Sequence, residues 1–205
     1  MLSEADDNAA SIVAFTDASK GVGRKASGAV ILMPPDQNYL HSVDVLSYGQ
    51  SKKGIVHSEF RTTVEALHIA PEKSLIEIFS DCSGSVKKLQ EYQLNINAAS
   101  YDDMLSVEDV IRLREGLERH PDVKITYVPR KHESLQIADV FSRMARGQPE
   151  GIYSLKIPEI PDLMEQLHEL YPQCKTVRSL QKSGKSGELS DFIDDWIQPS
   201  GAMPA

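Results

Sequence analysis

Cysteine is nearly missing from this sequence: Cys82 and Cys174 are the only two in 205 residues. They stand far apart without metal-ligand spacing, which excludes a disulfide framework and a cysteine-based zinc site as organising features. Aromatic residues are scarce at 6%, and Trp196 is the single tryptophan. No apolar run is long enough to span a bilayer. The first eight residues are acidic and polar where a secretory signal is basic and then apolar, so a cytoplasmic location is expected. Positive charge is also in short supply, with a net charge of -8 shared between the portions before and after Gly147. That balance argues against indiscriminate nucleic-acid binding, which draws on clustered Lys and Arg to replace phosphate counterions. The objection softens where several carboxylates hold cations.

What is present is 40% hydrophobic and 25% charged residues, the proportions of an ordinary globular domain long enough to bury a core. Residues 12–16 form a short apolar run with Val13 and Phe15, read as a central strand that ends by presenting Asp17. Turn residues at 21–25 lead to a second strand at 27–33, stopped by Pro34 and Pro35, and 39–48 is a third. From Ser58, a candidate N-cap, Phe60, Thr63, Val64, Leu67 and Ala70 fall at helical spacing until Pro71. A fourth strand at 75–80 leads to Asp81, followed by a helix at 83–92 with Val86 and Leu89 inward. Residues 94–105 are irregular. A helix at 107–120 presents Val110, Ile111, Leu113 and Leu117 on its apolar side. A fifth strand at 123–128 and a helix at 134–146, with Ile137, Ala138, Phe141 and Met144 as its stripe, complete the order. This predicts an α/β fold: a mixed five-stranded sheet, three antiparallel strands and then parallel ones, with helices on both faces.

Residues 10–147 are expected to form this domain, and 148–205 a C-terminal extension marked by Pro149, Pro158, Pro161 and Pro172 and a Ser/Gly linker at 183–187. In the extension, 162–170 reads as an amphipathic helix. The segment 191–197 pairs acidic residues with Phe192, Ile193, Trp196 and Ile197, and two readings stand: a helix folded back on the domain, or a docking peptide for a protein partner.

In this topology Asp17 leaves the first strand, Glu59 lies in the first turn of the first helix, Asp81 ends the fourth strand and Asp139 sits on the last helix. Each alone has a plain structural explanation as a cap, a turn residue or a solvated charge. Together they come from elements that converge at one end of the sheet, and carboxylates that close repel one another unless cations join them. Oxygen ligands suit Mg²⁺ or Mn²⁺. Two such ions roughly 3.5–4 Å apart activate a water and stabilise the leaving oxygen of a phosphodiester, so the pattern is that of a nuclease.

Four stretches in order carry a family likeness: 15–19 with 27–30 behind it; Ser58-Glu59-Phe60 with 66–70; 78–83 with Val86, Leu89 and Gln90; and 128–130 through 137–139. They resemble type 1 ribonuclease H, in its compact, reverse-transcriptase-like branch, over about residues 11–146. The resemblance implies an endonuclease that hydrolyses the RNA strand of RNA–DNA hybrids with two Mg²⁺ or Mn²⁺ ions held by Asp17, Glu59, Asp81 and Asp139. It implies substrate contacts from Ser19, Ser58 and Ser83. Arg130 lies in a loop where a guanidinium can reach phosphates, or where it is simply a solvated charge. His132 falls where many members have a histidine that assists product release; an exposed loop histidine is the other reading. The family's larger members have a basic protrusion where this chain, over 90–111, has no Lys or Arg, which implies weaker or partner-dependent substrate binding. The rival reading is a non-catalytic module of the same fold that recruits a partner through its acidic C-terminal segment.

Overall fold

A computed structural model of the protein describes residues 9–21, 25–36, 41–51, 53–155 and 197–199. Strand β1 (Ser11–Lys20) is buried along nearly its whole length, as befits a strand covered on both faces. It pairs antiparallel with β2 (Lys25–Met33), which pairs antiparallel with β3 (Ser42–Gln50). On its other side β1 pairs parallel with β4 (Leu75–Ser80), and β4 with β5 (Asp122–Tyr127). The mixed sheet is as the sequence predicts, with two further strands. Strand β6 (Gly151–Leu155) adds to β3, and β7 (Ile197–Pro199) to β6, giving the order β5-β4-β1-β2-β3-β6-β7. Thus β6, just past Gly147, continues the sheet.

The period of two along β1 sorts the helices between faces. Ile12 and Ala14 join the core beneath α1 (Ile55–Ile69), and Thr16 Oγ1 lies 3.2 Å from Thr63 Oγ1 of that helix. Helices α2 (Ser83–Leu94) and α4 (Val107–Glu118) pack against α1 on this side through Val86, Leu89 and Leu113, with the short α3 (Ile96–Ala99) between them. Phe60, Leu67 and Leu89 are fully enclosed here, each contributing about 2 kcal/mol of apolar burial. The alternate residues Phe15 and Asp17 face α5 (Glu133–Met144), whose Ile137, Ala138 and Phe141 are buried. A 3₁₀ turn (Ala145–Gly147) ends that helix.

Four local expectations are corrected. Asp17 does not leave β1 but lies within it, because the ladder with β2 continues through Ser19↔Ser27 and Lys20↔Ala26. Ser58 is no N-cap: α1 starts at Ile55 after Gly54, itself an acceptable cap, which moves Glu59 from the first turn into the second. Ile111 is 49% exposed, because α4 instead turns Leu113 and Gly116 towards α1. A Cβ on Gly116 would stand 3.0 Å from Leu67 Cβ, so glycine permits this approach. The stretch 94–105 contains α3 rather than being wholly irregular. The expected helix at 162–170, the linker at 183–187 and residues 191–196 lie outside the described residues; Ile197 is in β7. The same holds for residues 22–24, 37–40 and the side chain of Met144. Among the described residues no helix is long and apolar enough to cross a membrane.

Candidate active site

Chain order reverses at the boundary between β1 and β4, since β2 and β3 extend the sheet on one side of β1 and β4 and β5 on the other. Such a switch point opens a crevice beyond the carboxyl ends of parallel strands. The parallel register Thr16↔Ser80 makes Asp17 and Asp81 the next residues of neighbouring strands, Asp17 still within β1 and Asp81 just past β4. Glu59 reaches the same place from the second turn of α1. One carboxylate oxygen from each of Asp17, Glu59 and Asp81 lies within 4.8 Å of the others.

Burial makes this arrangement costly. Asp17 and Glu59 are 1% and 2% exposed. Asp17 is pushed up from 3.8 to about 7, chiefly by burial; the Ser142 hydrogen bond opposes the rise, the charges of Asp139 and Asp81 reinforce it, and Arg130 offsets part of it. Glu59 is raised well above the ordinary carboxylate range, again first by burial and then by Asp17 and Asp81. Ser142 Oγ stands 2.8 Å from Asp17 Oδ2 and 3.0 Å from the Asp139 carbonyl. The guanidinium of Arg130 spans two of the acids: Nε donates to Asp81 Oδ2, and Nη2 lies 3.7 Å from Asp17 Oδ1.

The remaining expected residues are unequally placed. Asp139 is near enough to act on Asp17 electrostatically but falls outside the group of three; its Oδ1 accepts from Arg143 Nη2 at 2.8 Å. His132 caps α5 and stacks on Phe15 with ring centroids 4.8 Å apart, half-buried rather than exposed, with Nδ1 enclosed and unpartnered. Ser19 is buried in β1, Ser58 is buried with an unpartnered Oγ, and Ser83 is exposed at the start of α2. The sequence reading missed Ser142 and Arg143. The available signal was their position three and four residues after Asp139 on α5, where helical side chains share a face.

The donor set fits a divalent cation. Three carboxylates offer hard oxygens, and Glu59 Oε2 is buried with no hydrogen-bond partner, an expensive state that a cation relieves. Asp17, Glu59 and Asp81 are the residues that would hold it.

The sequence matches no protein-family model and no curated protein. Among solved structures, the N-terminal RNase H domain of rv2228c from Mycobacterium tuberculosis aligns at a TM-score of 0.51 with 11% identity, covering 68% of this chain and 95% of that one. The fold is ribonuclease H-like. The RNase H1 of the halophilic archaeon Halobacterium salinarum is similar at 23% identity and a TM-score of 0.49, covering 65% of this chain and 96% of that one. At these identities the likeness concerns the ribonuclease H-like fold alone; any activity rests on the chemistry of the carboxylates.

Proposed function

We propose that the protein is a metal-dependent endonuclease that hydrolyses the RNA strand of RNA–DNA hybrids, leaving 3′-hydroxyl and 5′-phosphate ends. The observation that carries this reading is the convergence of Asp17, Glu59 and Asp81 within 4.8 Å at the switch point of a ribonuclease H-like sheet. Asp17, Glu59 and Asp81 would hold the cations, with Asp139, whose carboxylate bonds Arg143, as the fourth acid. Bound Mg²⁺ or Mn²⁺, two ions in the full site, supplies an activated water and neutralises charge on the phosphodiester. Ser142 orients Asp17 through its hydroxyl. His132, seated on Phe15, assists product release. Ser83 is exposed towards solvent and available to the hybrid backbone, while Ser19 and Ser58 are buried. RNA is told from DNA by its 2′-hydroxyl, which donates and accepts where deoxyribose does neither.

One observation favours a second reading. Arg130 bonds Asp81 and Arg143 bonds Asp139, an internal neutralisation that a non-catalytic binding module would keep, with the segment 191–197 recruiting a protein partner. A fluorescent RNA–DNA hybrid incubated with the full chain and Mg²⁺ or Mn²⁺ separates the two. Cleavage that chelation abolishes and that Asp81→Asn lowers by about a thousandfold or more supports the nuclease. Binding without cleavage, or equal cleavage by Asp81→Asn, supports the module.

A further inference from the structure

Arg130 lies in the turn between β5 and α5, and its guanidinium reaches across the crevice to two acids from two neighbouring strands. Nε donates to Asp81 Oδ2 while Nη2 lies 3.7 Å from Asp17 Oδ1. Its side chain is 49% exposed, whereas those of Asp17 and Asp81 are 1% and 6% exposed. A half-exposed cation on the solvent side therefore covers a buried anionic pair on the protein side. A guanidinium has five donors and no lone pair to offer a metal. Mg²⁺ takes oxygen ligands at about 2.0–2.1 Å, and a guanidinium and a divalent cation drawn to the same Asp81 oxygen repel each other, so the Arg130 contact competes with metal binding there. From these contacts we infer that Arg130 is a positioning residue for metal loading: it holds the carboxylates together as an internal counter-ion, and a divalent cation enters by displacing it from Asp81.

The inference rests on the reading of Asp17, Glu59 and Asp81 as cation ligands and adds what occupies their charge beforehand. Without Arg130, three acids within 4.8 Å would repel with no intervening positive charge. With it, each arriving cation competes against an ion pair. The side chain can withdraw towards solvent without disturbing the core, because it starts from a turn and is 49% exposed. Once released, it is a fork-shaped donor beside the crevice, suited to the phosphate oxygens of a bound strand.

Calorimetric titration of the full chain with Mn²⁺ tests this, using wild type, Arg130→Gln, Lys131→Gln and Asp81→Asn. Lys131 is the exposed neighbour and reports the effect of removing any nearby positive charge. The expected result is Mn²⁺ binding about fivefold tighter in Arg130→Gln than in wild type, the scale of a half-exposed ion pair no longer competing. Lys131→Gln should change the affinity less than twofold, and Asp81→Asn should weaken it. In wild type the Arg130 Nε–Hε resonance, assigned by its loss in Arg130→Gln, should shift as Mn²⁺-free protein is titrated with Mg²⁺. Unchanged or weaker binding by Arg130→Gln, equal tightening by Lys131→Gln, or an unmoved Nε–Hε signal at saturation overturns the role of Arg130 alone. An absence of metal binding in wild type and Arg130→Gln alike overturns the cation-site reading with it.

Discussion

Two buried carboxylates, Asp17 and Asp109, sit 1% and 8% exposed in opposite surroundings. Asp109, on α4, accepts from His57 Nε2 at 2.9 Å, from the Ser106 backbone N–H at 2.8 Å and from Ser106 Oγ at 2.7 Å. Lys53 and Arg61 stand 3.5 and 3.7 Å away. Burial pushes Asp109 up, but the His57 bond and then those of Ser106 override it and hold the carboxyl below the usual range. Asp17 has one hydroxyl, a distant face of Arg130 and three other acids, and it is pushed to about 7. Asp109 closes a capping box and ties the start of α4 to the start of α1, which is a structural task completed within the chain. Asp17 is left with an electrostatic debt that the chain does not settle, the mark of a group kept for a ligand.

The largest effect that would break this contrast concerns Asp17. Its carboxyl titrates near 7 in the folded protein against 3.8 as the ordinary value. Between those values the folded state keeps a proton that the unfolded chain has released, so stability is full below about pH 4 and falls as pH rises towards 7. The loss has an upper bound of about 4 kcal/mol, and Glu59, raised for the same reason, adds in the same direction. Thermal melts in chelator should therefore show a lower Tm at pH 7.5 than at pH 4.5. Asp17→Asn should reduce that dependence and raise Tm at neutral pH, while Mg²⁺ should raise Tm for the wild type but little for the variant. A wild-type Tm that climbs between these pH values in chelator would mean that Asp17 is already satisfied, as Asp109 is.

How much of this arrangement was legible follows the same division. Apolar runs that stop at Asp17 and Asp81 gave the strands, and the order of elements gave the convergence of the acids at one end of the sheet, because burial imposes a local period on the sequence. What escaped depends on contacts that carry no local period. Arg130 meets Asp81 across 49 residues and Ser142 meets Asp17 across 125. Asp17 was placed at the end of its strand because the polar run after it resembles a turn, whereas pairing with β2 carries β1 on to Lys20. The apolar character of Ile111 misled the orientation of α4, since the close approach was set by the missing side chain of Gly116 against Leu67. Strand β6 is five residues long and gains its place by pairing with β3, where Ser154 donates to Asp44.

A smaller effect tests the other half of the contrast. Asp109→Asn keeps the shape but removes the charge facing His57, Lys53 and Arg61, and part of the bonding to Ser106. A loss of about 2–3 kcal/mol is expected in denaturant unfolding at neutral pH, opposite in sign to Asp17→Asn. Stabilisation by both variants would erase the distinction between a settled and an unsettled acid.

The smallest effect tells which of Asp109's partners matter. Lys53 lies 3.5 Å from Asp109 with its side chain 36% exposed, while the His57 side chain is 6% exposed and 2.9 Å away. Solvent screens the longer, wetter pair, and holding a lysine side chain in one place costs entropy that the attraction barely offsets. Lys53→Met, which keeps most of the aliphatic stem, should therefore shift stability by less than about 1 kcal/mol. The same denaturant unfolding measures it. A loss as large as that of Asp109→Asn would move the weight from the buried hydrogen bonds of His57 and Ser106 to the field of the surface cations. Asp109 and Asp17 would then differ in how many positive charges surround them rather than in how many donors reach them.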